Sequence, residues 1–385
     1  MKFTIYIRGR GFSFQLASSL NKIGKLDYLV TSYPKFIVKK YKIPNKRIKS
    51  VFIVEILIRT LKFFRKFLDK IKIKIDPHLI VNPIADYLFS TIYFNDSNIN
   101  IIGFGNPCCK IIKKSKSRNI KTLYFLNTNS PIEKEKIKNE YVNLGLKYLY
   151  NKENNNITSK INQNIKDADY IGCLSLFQKN NYKNEGLLKG KKVIDCTMGV
   201  DTSVFYHQNL KKDKFIVIGV GNDFVIKGFK YLIEAFNNLN LTNSELWLVG
   251  NLNKNVISKV IKLKKNNLIF NNVNEFDLPK FYNQSSVFCL PTLTEGAPAV
   301  IPQAMSCGLP IIVTKNCQGP EVIDGNRNGF VVDEKSAESI EKKISYFYEN
   351  PKIRYEMGLS AASFAKKNLS FDVVANKIAS YFEKN

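Results

Sequence analysis

The sequence predicts an α/β protein of two Rossmann-like domains, each with a parallel sheet, which face each other across a central cleft. Three observations lead to this prediction. Short apolar runs alternate with amphipathic helical stretches along the chain, as in sheets whose parallel strands are joined by helices. A glycine-rich turn, Arg8-Gly9-Arg10-Gly11, follows the first apolar run. The length of 385 residues suits two domains of ordinary size.

The first strand is predicted at residues 3–7, and an amphipathic helix follows at about residues 12–23. The Gly-x-Gly turn between them suggests dinucleotide binding, but the third glycine of that fingerprint is replaced by Phe14. This turn therefore does not predict a nicotinamide cofactor.

Residues 35–74 are the most basic part of the chain, and only Glu55 and Asp69 oppose their charge. Apolar residues recur there at helical spacing: Ile53, Leu57, Leu61, Phe64, Leu68 and Ile71. We expect this stripe to face the core and the basic back of the helix to face solvent. The alternative is a surface helix that docks on anionic lipid, with Phe52, Phe63 or Phe67 entering the interface.

A later apolar run at residues 122–126 ends in polar residues. Strand ends of a parallel sheet meet at one edge, so Asn127, Asn129 and Ser130 are candidates to line the cleft. Further along, Asp167-Ala168-Asp169 resembles a metal-binding Asp-x-Asp pair. Its place between a helix and a strand favours a turn instead, so we predict no metal site there.

The charge balance of the chain is strongly basic, with 59 Lys and Arg against 32 Asp and Glu, a net +27. Such a balance fits nucleic acid, an anionic membrane or a polyanionic substrate as partner. It also fits a compositional bias, because Lys, Asn and Ile are frequent throughout. The basic residues form no recognisable nucleic-acid-reading motif, so we predict no nucleic-acid partner.

The seven cysteines are scattered without a C-x-x-C pair, and the histidines are His78 and His207. This inventory predicts neither a zinc site nor a His-based catalytic triad, and it favours a reducing compartment. The sequence lacks a long apolar leader and a run of roughly 18–20 apolar residues. We expect a cytoplasmic protein, or one that is peripheral at the inner face of the plasma membrane.

The most informative stretch lies between residues 287 and 313. Residues 287–290 have the pattern of a buried strand, Pro298 suits the first turn of a helix, and Gly308 suits its left-handed cap. Residues 311–313 then form the next strand. In such a βαβ unit, the loop before the helix is where open α/β sheets bind ligands and phosphate. Glu295 in that loop is either a helix-capping acid or an acceptor for the hydroxyls of a phosphorylated ligand.

The run Glu295-Gly296-Ala297-Pro298, continued from Gln303 to Pro310, resembles the donor-site signature of glycosyltransferase family 4. These are retaining enzymes of the GT-B fold, also described as glycosyl transferases group 1. The family pattern is Glu-x7-Glu, and its second acid is replaced here by Gln303.

Two other stretches carry the same resemblance. Residues 198–205, with Gly199-Val200-Asp201, are similar to the family's crossing between domains. Residues 221–228 resemble its Gly-Arg…Lys-Gly motif, with Asn222 in place of the arginine and Lys227-Gly228 at its end. Arg8 or Arg10 could supply the missing positive charge from across the cleft.

The resemblance implies roles for individual residues. Lys227 would stabilise charge on the diphosphate, and Glu295 would hold sugar hydroxyls, which makes these two the candidate catalytic residues. Gln303 would hold the ribose, and the backbone near Val273 would meet the base. The implied donor-binding residues are Gly221, Asn222, Val273, Gly296, Ala297, Pro298, Ala299 and Gln303. The implied cleft-loop residues are Gly9, Gly11, Asn127, Asn129 and Ser130.

The resemblance also implies an organisation and an activity. Residues 1–206 would form the acceptor-side domain, residues 207–366 the nucleotide-sugar domain, and residues 367–385 a helix that returns to the first. The expected activity is transfer of a sugar from a nucleotide-diphosphate sugar to a glycan or lipid-linked acceptor, without metal or other cofactor, in bacterial surface polysaccharide synthesis. Alternatives are a nucleotide-sugar epimerase of the same fold, or a catalytically weak or silent nucleotide-sugar-binding relative.

Overall fold

In a computed structural model of the protein, the described residues are 1–9, 11–70, 76–92, 99–105, 108–126, 129–150 and 155–384. At 65–70, 99 and 155–157 only the backbone is described. Within these residues the chain forms two separate parallel sheets with helices packed against them, which confirms the predicted fold class.

The described strands fall into two groups along the chain. The first sheet consists of β1 (Lys2–Ile7), β2 (Leu26–Thr31), β3 (Ile48–Ser50), β4 (Ile99–Phe104), β5 (Thr122–Phe125), β6 (Tyr170–Cys173) and β7 (Lys192–Asp195). The second consists of β8 (Phe215–Val220), β9 (Ser244–Val249), β10 (Asn267–Phe270), β11 (Val287–Leu290), β12 (Ile311–Thr314) and β13 (Gly329–Val332). The strand orders are 3-2-1-4-5-6-7 and 10-9-8-11-12-13, so each sheet changes direction beside its first strand. Ligands bind at such a switch point in open α/β sheets.

The described helices of the first half are α1 (Phe12–Lys22), α2 (Lys35–Val38), α3 (Ile53–Lys70), α4 (Pro77–Ile92), α5 (Cys109–Lys116), α6 (Pro131–Asn143), α7 (Asn155–Asp167) and α8 (Leu176–Asn184). Those of the second half are α9 (Phe229–Asn238), α10 (Lys254–Val260), α11 (Leu278–Gln284), α12 (Val300–Ser306), α13 (Gly319–Val322), α14 (Ala337–Glu349), α15 (Pro351–Asn368) and α16 (Phe371–Lys384).

The first sheet has a hydrophobic core on each face. In β1, Phe3 and Ile5 belong to one core, which α1 and α16 cover, whereas Tyr6 belongs to the core on the opposite face. Because successive side chains of a strand point to opposite faces, a strand that is buried on both sides must be apolar at nearly every position. This explains the continuous apolar runs of the sequence.

The last helix, α16, packs on the first half of the molecule although it follows the second. Ser19 of α1 donates a hydrogen bond of 2.5 Å to Asp372, and Lys25 forms an ion pair of 2.7 Å with Glu383. The Val200 N–H donates to the Leu369 carbonyl at 2.8 Å, so the two connections between the halves run side by side. The expected boundaries at residues 206 and 366 lie near these crossings and remain predictions.

The expectation that the apolar stripe of α3 faces the core is wrong in part. The buried contact between α3 and α4 is made by Val54, Ile58, Val81 and Ala85. Ile53 and Phe64 are more than half exposed, and Leu57 and Leu61 are half-buried at the edge of the contact. Helical spacing predicted the amphipathic helix, but not the direction from which α4 packs against it. Leu68, Ile71 and Phe67 lie outside the described side chains.

Candidate active site

A cavity of about 590 Å³ lies between the two halves of the molecule, where β1 and β8 end. The first half lines it with Ile7, Phe12, Ser13, Phe104, Leu126, Asn129, Leu174, Gln178 and Met198. The second half contributes Gly221, Asn222, Asp223, Ile226, Lys227, Thr294, Glu295, Gly296, Ala297 and Val300. Its position at the switch points of both sheets makes this cavity the candidate active site.

Lys227 and Glu295 meet at the centre of the second-half wall. The Lys227 Nζ lies 2.6 and 2.5 Å from the two carboxylate oxygens of Glu295. Only 11% of the lysine side chain is exposed, against 27% of the glutamate side chain. The two candidate catalytic residues, 68 positions apart in sequence, are therefore neighbours in one cavity.

Two glycines allow Lys227 to reach this position. A Cβ at Gly221 would lie 2.5 Å from Cε of Lys227, so a larger residue there would displace the lysine chain. Gly228 has φ of +66°, and a Cβ there would lie 2.0 Å from the Pro291 carbonyl oxygen. The β8–α9 turn can therefore cross closely over the end of β11 only with glycine at this position.

The loop that carries Glu295 is held from both sides. The Glu295 N–H donates to the Asn316 carbonyl at 2.9 Å, and the Gly296 carbonyl accepts a 2.5 Å hydrogen bond from Ser175 of the first half. Among the described residues, the N–H groups of Gly296 and Ala297 have no hydrogen-bond partner. They are donors at the cavity wall that remain available to a ligand.

The remaining donor-binding candidates, which include Val273, Pro298 and Ala299, are not among the residues that line the cavity. Val273 packs half-buried against the second-half core, and Ala299 packs against the first-half core. Pro298 precedes α12, which begins at Val300 with Ala299 as its N-cap, so the helix starts two residues later than Pro298 suggested.

The two residues that depart from the family pattern both have structural partners. Asn222 lines the cavity, and its Oδ1 accepts a hydrogen bond of 3.0 Å from the Asn251 N–H, which joins the turns after β8 and β9. Gln303 is buried, and its Oε1 accepts a hydrogen bond of 3.4 Å from the Tyr282 hydroxyl. Neither supplies the charge that the family residue would carry.

The cleft-loop candidates have different places. Asn129 lines the cavity, whereas Ser130 is fully buried as the N-cap of α6, in a capping box with Glu133. Gly9 and Gly11 precede the lining residues Phe12 and Ser13 without lining the cavity themselves. Asn127 lies outside the described residues.

Arg8, which could supply the missing positive charge, contacts His78 in the structure. Its guanidinium lies 2.8 Å from Nδ1 of His78, on α4, and it is absent from the cavity lining. Burial lowers the pKa of Arg8, an effect that the nearby Glu55 carboxylate opposes. Arg10 lies outside the described residues.

Sequence reasoning missed the apolar wall of the first half. Ile7 and Phe104 end β1 and β4, and Leu126 and Leu174 directly follow β5 and β6. The carboxyl ends of four adjacent strands thus contribute one apolar residue each. The apolar residues at these strand ends are visible in the sequence, but the polar residues that follow the strands indicated a site more clearly. Beside them, the Ser13 hydroxyl is buried without a partner among the described residues.

Contacts between the halves surround the cavity. Thr294 donates to Glu133 at 2.7 Å, and Tyr141 donates to Asp223 at 2.7 Å. Burial raises the pKa of the Tyr141 phenol, and its hydrogen bond to Asp223 adds to that effect. These partners come from α6 on one side and from ligand-facing loops on the other, and no spacing in the sequence indicated them.

Glu321 makes a further contact between the halves. Its carboxylate accepts from the N–H groups of Leu176 at 2.7 Å and Phe177 at 3.3 Å, so it caps α8 across the interface. Burial raises the pKa of the Glu321 carboxyl, and the two N–H donors oppose the rise.

Among the described residues, no group of three or more His, Cys, Asp or Glu is arranged to hold a metal ion. Asp169 instead accepts hydrogen bonds of 2.8 Å from the backbone and hydroxyl of Thr122. A search of the described helices finds none with the length and hydropathy needed to cross a membrane.

Residues 203–364 match the family model of the glycosyl transferases group 1. An uncharacterized glycosyltransferase of Haemophilus influenzae is 28% identical over 154 residues, which is 38% of this chain and 43% of the relative. The N,N'-diacetylbacillosaminyl-diphospho-undecaprenol alpha-1,3-N-acetylgalactosaminyltransferase of Campylobacter jejuni is 24% identical over 218 residues, 52% of this chain and 57% of the relative. The chain thus spans about half the length of these relatives.

Among solved structures, a mutant of Staphylococcus aureus TarM in complex with fondaparinux, α-GlcNAc-glycerol and UDP resembles the chain along its whole length. The TM-score is 0.72 at 13% identity, covering 99% of this chain and 100% of that one. At this identity the likeness concerns the fold alone, which is GT-B, as predicted.

Proposed function

We propose that this chain, whose residues 203–364 match the family model of the glycosyl transferases group 1, transfers a sugar from a nucleotide-diphosphate sugar with retention of the anomeric configuration. The observation that carries the proposal is the Lys227–Glu295 pair in the cavity between the halves. One cation, one carboxylate and free backbone N–H groups in a single wall match a ligand that carries both phosphate and hydroxyl groups.

The proposed mechanism needs charge stabilisation rather than a general base in the protein. The bond between the anomeric carbon and the diphosphate oxygen breaks, and the acceptor oxygen forms the new bond on the same face. The acceptor's hydroxyl proton passes to the departing phosphate oxygen. Lys227 stabilises the charge that grows on that oxygen, and this preorganised cation supplies much of the rate enhancement. We propose that no metal is required.

Glu295 has two partners in this scheme. In the structure it forms an ion pair with Lys227. When the donor binds, Lys227 pairs with its phosphate. Glu295 then accepts hydrogen bonds from sugar hydroxyls, and the Gly296 and Ala297 N–H groups hold phosphate or sugar. Lys227 therefore has an anionic partner both with and without donor, which avoids an unpaired buried ammonium group.

The acceptor proposed is a glycan or a lipid-linked glycan. The apolar wall around Phe104 and Leu174 suits the nonpolar faces of sugar rings or a lipid carrier. The Campylobacter jejuni relative is named for a diphospho-undecaprenol-linked substrate. On this basis we propose bacterial surface polysaccharide synthesis at the cytoplasmic side of the membrane, a location that the seven free cysteines favour.

The test is turnover of nucleotide sugars by Lys227→Ala and Glu295→Ala. Loss of one preorganised charge in such a site lowers kcat roughly 100- to 1000-fold. Circular dichroism should show both variants folded. Lys230→Ala, three residues away and over the Tyr231 ring, serves as the matched control and should keep full activity. Wild-type activity in either of the first two variants would refute the assignment. The anomeric configuration of the product, read by NMR, tests retention.

A weak or silent nucleotide-sugar-binding relative is the second candidate. The observation in its favour is that Asn222 and Gln303 are engaged with Asn251 and Tyr282, and neither carries a charge. Donor binding without hydrolysis or transfer, over a panel of acceptors, would favour this candidate over the transferase.

A further inference from the structure

We propose that the exposed apolar faces of α3 and α4, which we name the α3–α4 surface, dock on an anionic lipid bilayer. The residues that form it are Phe52, just before α3, with Ile53, Ile56, Phe63 and Phe64 on α3, and Leu79, Ile80, Ile84 and Tyr87 on α4. Phe63 is 75% exposed and Ile53 61%. Scattered apolar residues are normal on protein surfaces, whereas a large cluster on two adjacent helices marks an interaction site.

The apolar residues of the two helices form one continuous face. At about 100° per residue, those of α3 from Ile56 to Phe64 fall within an arc of roughly 120° that begins at half-buried Leu57. On α4, Ile80, Ile84 and Tyr87 fall within an arc of roughly 100° that begins at half-buried Leu88, and Leu79 lies about 80° beyond it. Leu57 and Leu88 both belong to the seam between the helices, so the two arcs adjoin there.

Positive charge flanks the α3–α4 surface on both sides. On α3, exposed Arg59 lies about 40° beyond Phe63, and exposed Lys62 lies farther round the helix. On α5, which packs against α4, the exposed lysines are Lys110, Lys113 and Lys116. The Lys110 ammonium lies 4.8 Å from the centre of the Tyr87 ring, so the lysines of α5 adjoin the apolar residues of α4.

Two described acids near this surface are already engaged. Glu55 is paired with Arg59 at 2.8 Å, and buried Asp86 accepts from the Lys110 N–H at 3.0 Å. An apolar face with a lysine-rich border matches the interface of an anionic bilayer, where each basic residue near the surface adds attraction. A second copy of the chain is a poorer partner, because two faces with the same positive border repel each other.

The surface begins beside the candidate active site. His78, in the first turn of α4, contacts Arg8 at 2.8 Å, and the preceding residue, Ile7, lines the cavity. A bilayer on the α3–α4 surface would therefore lie near the apolar wall of the cavity. In this respect the inference rests on the proposed function, because it names where a lipid-linked acceptor would enter. Lipid docking itself does not require transferase activity.

The test is co-sedimentation with vesicles of phosphatidylcholine, with and without phosphatidylglycerol. The wild type should bind the anionic vesicles and bind them less as salt rises. The paired substitutions Ile56→Ser with Phe63→Ser on α3, and Ile80→Ser with Ile84→Ser on α4, should each weaken binding about tenfold or more, since each removes two apolar side chains from the interface. All affected positions are exposed, so the variants should fold.

Ile353→Ser with Leu359→Ser on α15 is the matched control, because it removes exposed apolar side chains elsewhere and should leave vesicle binding unchanged. Unchanged binding in the α3 and α4 variants would overturn the proposal. Absence of vesicle binding by the wild type would also overturn the proposal. This includes the case in which sedimentation shows a dimer that these substitutions dissociate. Donor hydrolysis in solution separates the two claims: hydrolysis without vesicle binding refutes only lipid docking, and vesicle binding without hydrolysis or transfer refutes only the transferase.

Discussion

At the scale of single residues, the candidate active site depends on how closely two turns approach each other. Lys227 reaches Glu295 only because the β8–α9 turn passes directly over Pro291 at the end of β11. The left-handed backbone of Gly228 and the absent Cβ are both needed for this approach. The lysine and the glycine next to it are therefore a single feature of the site.

Gly228→Ala should destabilise the protein and weaken donor binding together. Strain at φ of +66° costs roughly 1–2 kcal/mol, and the clash with the Pro291 carbonyl adds to it. Gly186→Ala is the control, because Gly186 has φ of +72° but nothing within 4 Å of its added Cβ. Thermal unfolding should show a clearly larger loss for Gly228→Ala. Equal losses would mean that the turns can separate without cost.

Lys212 predicts a pH dependence of stability. Burial, followed by the charge of Arg354, lowers the pKa of Lys212 to about 8, and its ammonium donates to the Ser285 carbonyl. An unfolded lysine titrates near 10.4. Between these values the unfolded chain holds a proton that the folded chain has released, so this residue makes the free energy of unfolding rise with pH.

The measurement is the melting temperature of the wild type and Lys212→Met from pH 7 to pH 10. The difference between them isolates this residue from the other lysines. The melting temperature of the wild type should increase relative to that of Lys212→Met as pH rises above about 8. Parallel curves across the range would show that Lys212 keeps an ordinary pKa.

At the scale of elements, α8 takes part of its N-terminal capping from the other half of the molecule, in addition to the local cap in which Ser175 accepts from the Gln178 N–H. Glu321 accepts from the Leu176 and Phe177 N–H groups, and Ser175 donates to the Gly296 carbonyl beside the cavity. A helix end normally finds its cap within a few residues of its own sequence. Closure of the cleft and completion of α8 are therefore coupled.

Glu321→Ala should separate the halves more easily, because it leaves two N–H donors of α8 without their acceptor. The expected cost is about 1–3 kcal/mol of unfolding free energy, whereas Glu321→Gln keeps an acceptor oxygen and should lose less. Small-angle scattering without donor should show a larger radius of gyration for the alanine variant. Identical scattering and melting for all three proteins would contradict a role in closure.

The elements themselves were largely predictable from the sequence. The strand at residues 287–290, the Gly308 stop and the next strand follow from apolar runs and glycine and proline positions, and the structure has them there. The orientation of α3 was not predictable, because it depends on where α4 packs. The contacts of Glu133, Tyr141 and Glu321 across the cleft likewise depend on how the two halves pack, so the spacing of residues in the sequence did not predict them.

At the scale of the whole molecule, two similar α/β halves enclose a site that neither contains alone. The second half supplies charge and backbone donors, and the first supplies an apolar wall formed by the ends of four adjacent strands. The sequence identified the second half's share through its motifs. The first half's share depends on strand order, which becomes visible only when β1, β4, β5 and β6 lie side by side.

The most direct measurement of the central claim is thermal stabilisation by UDP and a panel of nucleotide-diphosphate sugars. A ligand at 100 times its Kd adds about 2.7 kcal/mol to stability, which raises the melting temperature by several degrees. We expect at least one compound to do so for the wild type and Lys230→Ala, and the shift to vanish for Lys227→Ala. Full stabilisation of Lys227→Ala, or none of the wild type by any member of the panel, would contradict a diphosphate held by Lys227 between the two halves.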